Sequence, residues 1–129
     1  MKRLATLLGR ILISVPFLVF GFMKLSNFHG SAGQLAALRI PLPTAAAVIA
    51  IMIEVLGGIC LVLGFKTRFW AWIMFLYLIP VTFVAHNFWA YSGSARGVNE
   101  GEFVKNLAIM GGLLVLAAFG PGPISVDKA

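Results

Sequence analysis

A chain of 129 residues that is 60% hydrophobic and 11% charged has too few polar groups to cover a soluble domain, which ordinarily carries about 25% charged residues. Its mean hydropathy of +0.99 makes lipid the solvent of most of its surface. The formal charge of +6 excludes little by itself, but the basic residues stand singly or in pairs between apolar runs, as membrane-flanking charges do, and do not form a nucleic-acid patch.

In chain order, Lys2 and Arg3 followed by the apolar run Ile11–Met23 imitate a signal peptide. Gly21-Phe22-Met23-Lys24-Leu25 is a poor small-residue cleavage site, and more apolar segments follow, so the run reads as a retained first helix. A spanning helix needs about 20 apolar residues to cross roughly 30 Å of hydrocarbon. Four segments qualify: residues 4–23, 44–65, 69–89 and 103–120. Arg10 falls near the end of the first, where its side chain is expected to snorkel to the interface. Residues Lys24–Arg39 have room for a short amphipathic helix at the interface. Ile40-Pro41-Leu42-Pro43 stops any helix before Thr44. Lys66-Thr67-Arg68 is a tight polar turn, Pro80 bends the third span, and Tyr91–Glu102 reads as a surface loop.

These elements predict an all-α fold: an integral membrane bundle of four transmembrane helices, one domain over residues 1–129. The side holding both termini and the second loop carries Lys2, Arg3, Arg10, Lys66, Arg68 and Lys128, against Lys24, Arg39, Arg96 and Lys105 on the other. Both termini are therefore expected in the cytoplasm. Small residues in Gly57-Gly58 and Gly111-Gly112 suit close helix packing, and a homo-oligomer stays open.

Glu54 is the outstanding residue. It lies ten residues after Thr44, so at about 1.5 Å per residue it sits roughly 15 Å deep, near the bilayer centre. A carboxylate there is costly, and it serves either proton handling and ligand binding or helix packing. Its candidate partners, all in the outer half or at its boundary, are Lys24, His86, Asn87, Lys105 and Asn106. Together they are expected to form a polar cluster in the bundle able to bind a polar head group or relay a proton, although Lys24 and Lys105 also suit interfacial anchoring. No close pair among the two histidines and four acids has metal-ligand spacing, and the single Cys60 permits no intrachain disulfide or multi-cysteine metal site. No nucleotide-binding, nucleophile-elbow or redox-dithiol motif is present, so no catalytic residue is assigned.

The chain resembles the DoxX family of small membrane proteins. The resemblance runs through Gly21-Phe22-Met23-Lys24-Leu25, Glu54-Val55-Leu56-Gly57-Gly58, Leu63-Gly64 and Thr67-Arg68. It is strongest in Phe103-Val104-Lys105-Asn106-Leu107-Ala108, Gly111-Gly112 and Gly120-Pro121-Gly122, and Ser125-Val126-Asp127 looks like the family's usual ending. It implies four transmembrane helices in the plasma membrane. It also implies membership of membrane assemblies concerned with quinone-linked oxidation or thiol and oxidative stress. Three readings stay open: a membrane subunit of a redox assembly with a quinone beside Glu54 and His86, a non-catalytic scaffold or assembly factor, and a small oligomeric proton-linked transporter. The partners implied are the lipid bilayer and a membrane or membrane-associated redox protein.

Overall fold

In the computed structural model, which describes residues 1–127, each apolar run becomes a long helix. Helix α1 spans Lys2–Ser26, the short α2 Phe28–Ala37, α3 Pro43–Leu63 and α4 Thr67–Ala85; a 3-10 turn at Phe88–Ala90 leads into α5, Gly93–Phe119. Helices α1, α3, α4 and α5 are long and apolar enough to cross a membrane, and no strand occurs among the described residues. The segment expected to hold a short helix forms α2. It packs on α3 and, less closely, on α1, and none of its residues is buried.

Small residues set how the spans meet. A Cβ on Gly21 would lie 2.8 Å from Val55 Cγ2 and 3.2 Å from the Val55 main-chain nitrogen, and one on Gly58 would lie 2.7 Å from Leu18 Cδ2. These glycines let α1 and α3 approach backbone to side chain, the usual source of helix affinity where lipid removes the hydrophobic drive. The contacts run Arg10 to Leu61, Leu18 to Gly58 and Gly21 to Glu54, so the two helices are antiparallel. The core joins Phe17, Leu61, Ala71, Met74, Leu78, Leu113, Leu116 and Ala117. Large apolar side chains such as Leu12, Met52, Leu76 and Val115 point outward, as lipid-facing residues do.

The α3–α4 turn is tied to the C-terminal tail. Gly64 ends α3 in the left-handed region at φ +71°. Phe65 N–H donates to the Cys60 carbonyl at 2.8 Å and Gly64 N–H to the Leu61 carbonyl at 3.2 Å, a Schellman closure. A Cβ on Gly64 would also collide with Ser125 and the Arg10 guanidinium. The tail then lies along the turn. Val126 N–H donates to Leu63 O, and the Asp127 carboxylate accepts from Lys66 N–H at 2.7 Å and Thr67 N–H at 2.9 Å. Asp127 thus caps α4 from sixty residues away.

Two expectations need correction. Arg10 does not snorkel: it is 1% exposed, and its Nη atoms donate to the Leu61, Val62 and Ile124 carbonyls. The end of α3 leaves carbonyls without helical partners, and a buried guanidinium satisfies them. Gly93–Glu102 is not a loop but the first turns of α5. Counting apolar residues detects only the part of a helix inside hydrocarbon; beyond it, polar residues continue the same backbone bonds. The expected third span, 69–89, falls within the apolar stretch Thr67–Ala90, in which regular helix runs through Pro80 to Ala85 and the Phe88–Ala90 turn follows.

Candidate functional site

The half of the bundle opposite the tail encloses a partly open cavity of about 540 Å3. Every helix contributes. Pro16, Phe17 and Phe20 come from α1, Gln34, Leu35 and Leu38 from α2, and Ala46, Ala47 and Ala50 from α3. The α4 wall includes Leu78, Pro80, Val81 and Val84, and the α5 wall includes Asn106 and Ile109. The walls are predominantly apolar. Alanines on α3 leave the space that larger side chains would fill.

Glu54 marks the polar end. It is 5% exposed, at the middle of α3 and level with Gly21. Lys24 Nζ donates to Oε1 at 2.8 Å and to Oε2 at 3.0 Å, and the Tyr77 hydroxyl donates to Oε2. Such pairing is what keeps an ionised carboxylate tolerable away from water. Lys24 reaches it because α1 continues to Ser26, placing the ammonium one turn beyond Gly21. About a third of the Lys24 side chain stays exposed, so one ammonium N–H is left to face the cavity or water. Lys24 is therefore bound inward to a carboxylate rather than serving only as an interfacial anchor.

A second polar group lies toward the rim. Lys105 Nζ bonds Glu102 Oε2 at 2.5 Å and lies 4.9 Å from the centre of the Phe20 ring. His86 Nδ1 lies 3.2 Å from Asn99 Oδ1. Asn106 is buried deeper, and its Nδ2 donates to Thr82 Oγ1 at 3.2 Å. All five predicted residues, Lys24, Glu54, His86, Lys105 and Asn106, thus border one cavity, but only Lys24 and Glu54 bond each other, while Lys105, His86 and Asn106 are each held by a separate partner. No hydrogen bond links His86, Lys105 or Asn106 to Glu54. Asn87 does not line the cavity, and its side-chain oxygen is buried without a partner among the described residues.

Sequence reasoning missed Tyr77. Its position was legible: Tyr77 lies ten residues into α4, roughly 15 Å along that helix, the same depth assigned to Glu54. A hydroxyl at that depth needs an acceptor. No group of three or more histidine, cysteine or acidic side chains able to hold a metal occurs among the described residues. The two acids lining the cavity are each matched by a lysine, which leaves it near neutrality and suited to an uncharged amphiphile.

The sequence profile of the DoxX family matches residues 5–87, well over half of the chain. The chain belongs to the DoxX family. Among similar DoxX-type chains is the inner membrane protein YphA of Escherichia coli, 40% identical over 95% of this chain and 87% of that protein. The inner membrane protein YqjF of the same organism is 34% identical over 99% of this chain and 95% of its own length. The ER-derived vesicles protein ERV29 of Saccharomyces cerevisiae is 32% identical over 93% of this chain, which spans only 32% of that longer protein. No solved structure matches. With its four apolar helices and these relatives, this DoxX protein is a multi-pass protein of the plasma membrane.

Proposed function

We propose that this DoxX protein is a small membrane subunit of a redox assembly, and that its outer cavity binds a quinone. The observation that carries the reading is the join between an apolar cavity of about 540 Å3 and the Lys24–Glu54–Tyr77 cluster at its polar end. Small-molecule sites commonly have roughly 300–1,000 Å3, apolar walls and a few placed polar groups. A quinone head offers carbonyl acceptors on an apolar ring, and its tail is apolar. The residues fit it: Lys24 has a remaining ammonium N–H, Asn106 a second amide N–H, and Phe17 and Phe20 supply apolar wall. When bound, a quinone would supply two-electron, two-proton carrier chemistry.

The chain's own residues handle the protons. Glu54 holds or releases a proton at Oε1 or Oε2, Lys24 offsets its charge, and Tyr77 fixes its orientation. The rim groups His86 and Glu102 connect the cavity to the outer water. In this arrangement both termini face the cytoplasm and the partner oxidoreductase docks on the bundle.

The test is a titration of the protein in nanodiscs with a short-tailed quinone, followed by quenching of tryptophan fluorescence. Wild-type protein should bind saturably. Tyr77→Phe should weaken binding about fivefold to tenfold, the loss expected of one typical hydrogen bond of roughly 1 kcal/mol. Glu54→Gln should keep its helical circular dichroism yet abolish quinone-dependent electron transfer in membranes carrying the assembly. Absence of saturable binding, or full activity in Glu54→Gln, rejects the redox reading. A variant altered only in stability or in recovery of a partner would favour the scaffold instead.

A further inference from the structure

A second recess lies at the opposite end of the bundle, beside the α3–α4 turn. Here α1 and α5 leave a groove of about 350 Å3 between them. One wall is Ala5, Gly9 and Ile13; the other is Val115, Leu116 and Phe119. The chain itself does not fill it. A Cβ on Gly9 would meet nothing within 4 Å, and Phe119 is 81% exposed. An apolar trough that its own side chains leave open to hydrocarbon is a place for an acyl chain.

Its surroundings are cationic. Arg10 borders the groove, and its buried Nε has no acceptor among the described residues. The Arg68 guanidinium lies beside Gly120 at the groove's end: a Cβ there would be 3.1 Å from Nη2. Lys2 and Arg3 stand in the first turn of α1, just before Ala5. Among the described residues, Lys2, Arg3 and Arg68 form no ion pair. Asp127, the acid of this end, is already engaged by the Lys66 and Thr67 amides.

We propose that this groove binds one anionic phospholipid, with an acyl chain between α1 and α5 and the phosphate among Arg68, Arg3 and Lys2. Charge complementarity selects the ligand. A free phosphate would meet the cations and leave the trough unfilled; a zwitterionic lipid would fill the trough and bring its own cation to an already basic rim. Basic pockets between spanning helices recognise anionic head groups by this combination. The site is separate from the outer cavity and does not depend on what that cavity binds.

Native mass spectrometry of the detergent-purified protein tests this, with phosphatidylglycerol, phosphatidylcholine and inorganic phosphate supplied in parallel. One phosphatidylglycerol per chain should survive collision energies that strip phosphatidylcholine, and no phosphate adduct should persist. The double variant Arg3→Gln/Arg68→Gln should lower phosphatidylglycerol occupancy at least tenfold, since each cation near an anionic head group is worth about fivefold, while leaving phosphatidylcholine unchanged. Gly9→Leu fills the trough from one wall and Val115→Phe from the other; either should remove the adduct without altering circular dichroism. Equal retention of the two lipids overturns the proposal. So does phosphatidylglycerol retention that ignores both groove-filling variants, which would reduce the effect to attraction toward a basic membrane face. Retained inorganic phosphate would instead mark a free-anion site and overturn the lipid assignment.

Discussion

Glu54, Lys24 and Tyr77 are linked by hydrogen bonds in the interior of a lipid-facing protein, where each depends on the others. Removing one member of a fully buried ion pair costs about 3–5 kcal/mol, because the other is left uncompensated. Lys24 keeps about a third of its side chain exposed, so the penalty here is smaller. Lys24→Met should destabilise the protein by roughly 2 kcal/mol, measured by unfolding in mixed detergent micelles. Adding Glu54→Leu should recover most of that loss. If the double variant is no more stable than Lys24→Met alone, the ion pair does not set the energetics of this region. Glu54 was legible because one acid in an apolar run is conspicuous. Tyr77 had a legible depth but an ambiguous role, because a tyrosine in a span reads equally as an interfacial ring, and only depth matched across two helices separates the cases. Arg10 escaped for a related reason: its acceptors are main-chain carbonyls near the far end of α3 and in the tail, which no side-chain pattern announces.

At the level of elements, the spans were readable from apolar run length, and their ends were not. Helix α5 shows why. Gly93, Ser94, Gly97 and Gly101 argue against a helix by propensity, yet the helix continues through them, with the Asn99 amide bonding the Ala95 carbonyl and the Asn99 oxygen beside His86. The other end of the bundle carries a tertiary cap. Burial opposes charge on Asp127, but main-chain hydrogen bonds from Thr67 and Lys66 together with the Arg10 charge outweigh it and hold the carboxyl below the ordinary carboxylate range. A carboxyl with a lowered folded pKa stabilises the fold above the ordinary carboxylate range, and that stabilisation is lost as pH falls through the lowered value. Asp127→Asn should therefore cost about 1 kcal/mol near neutral pH, in line with other helix caps. The gap between wild type and variant should stay level from about pH 7 to 5 and close below about pH 4. A gap that instead closes between pH 7 and 5 would assign the effect to another group.

The described residues form four antiparallel spans with α2 packed at the end opposite the tail, and an even number of crossings brings both ends of the described stretch to one side. The tail bonds to the α3–α4 turn, so Arg10, that turn and Asp127 share one end. The excess of Lys and Arg at this end predicts a cytoplasmic location. A cysteine introduced at Ser94, in an exposed stretch of α5, should react with a membrane-impermeant maleimide added to intact cells, and one introduced at Lys66 should not. The reverse pattern would invert the orientation while leaving the fold intact. Overall architecture was legible because hydrocarbon imposes a length and a composition on each span; the clasp of the tail was not, because it rests on contacts between residues as much as 114 positions apart. That separation also has a consequence for biosynthesis. A ribosome makes Arg10 well before Ile124, so the first span enters the bilayer with a guanidinium that lacks its full set of acceptors. Some become available when α3 arrives, and the set closes only when the tail emerges. A nascent chain halted before that point would carry a partly unsatisfied cation in lipid, and this would distinguish it from the finished protein for any quality-control protease that surveys the membrane.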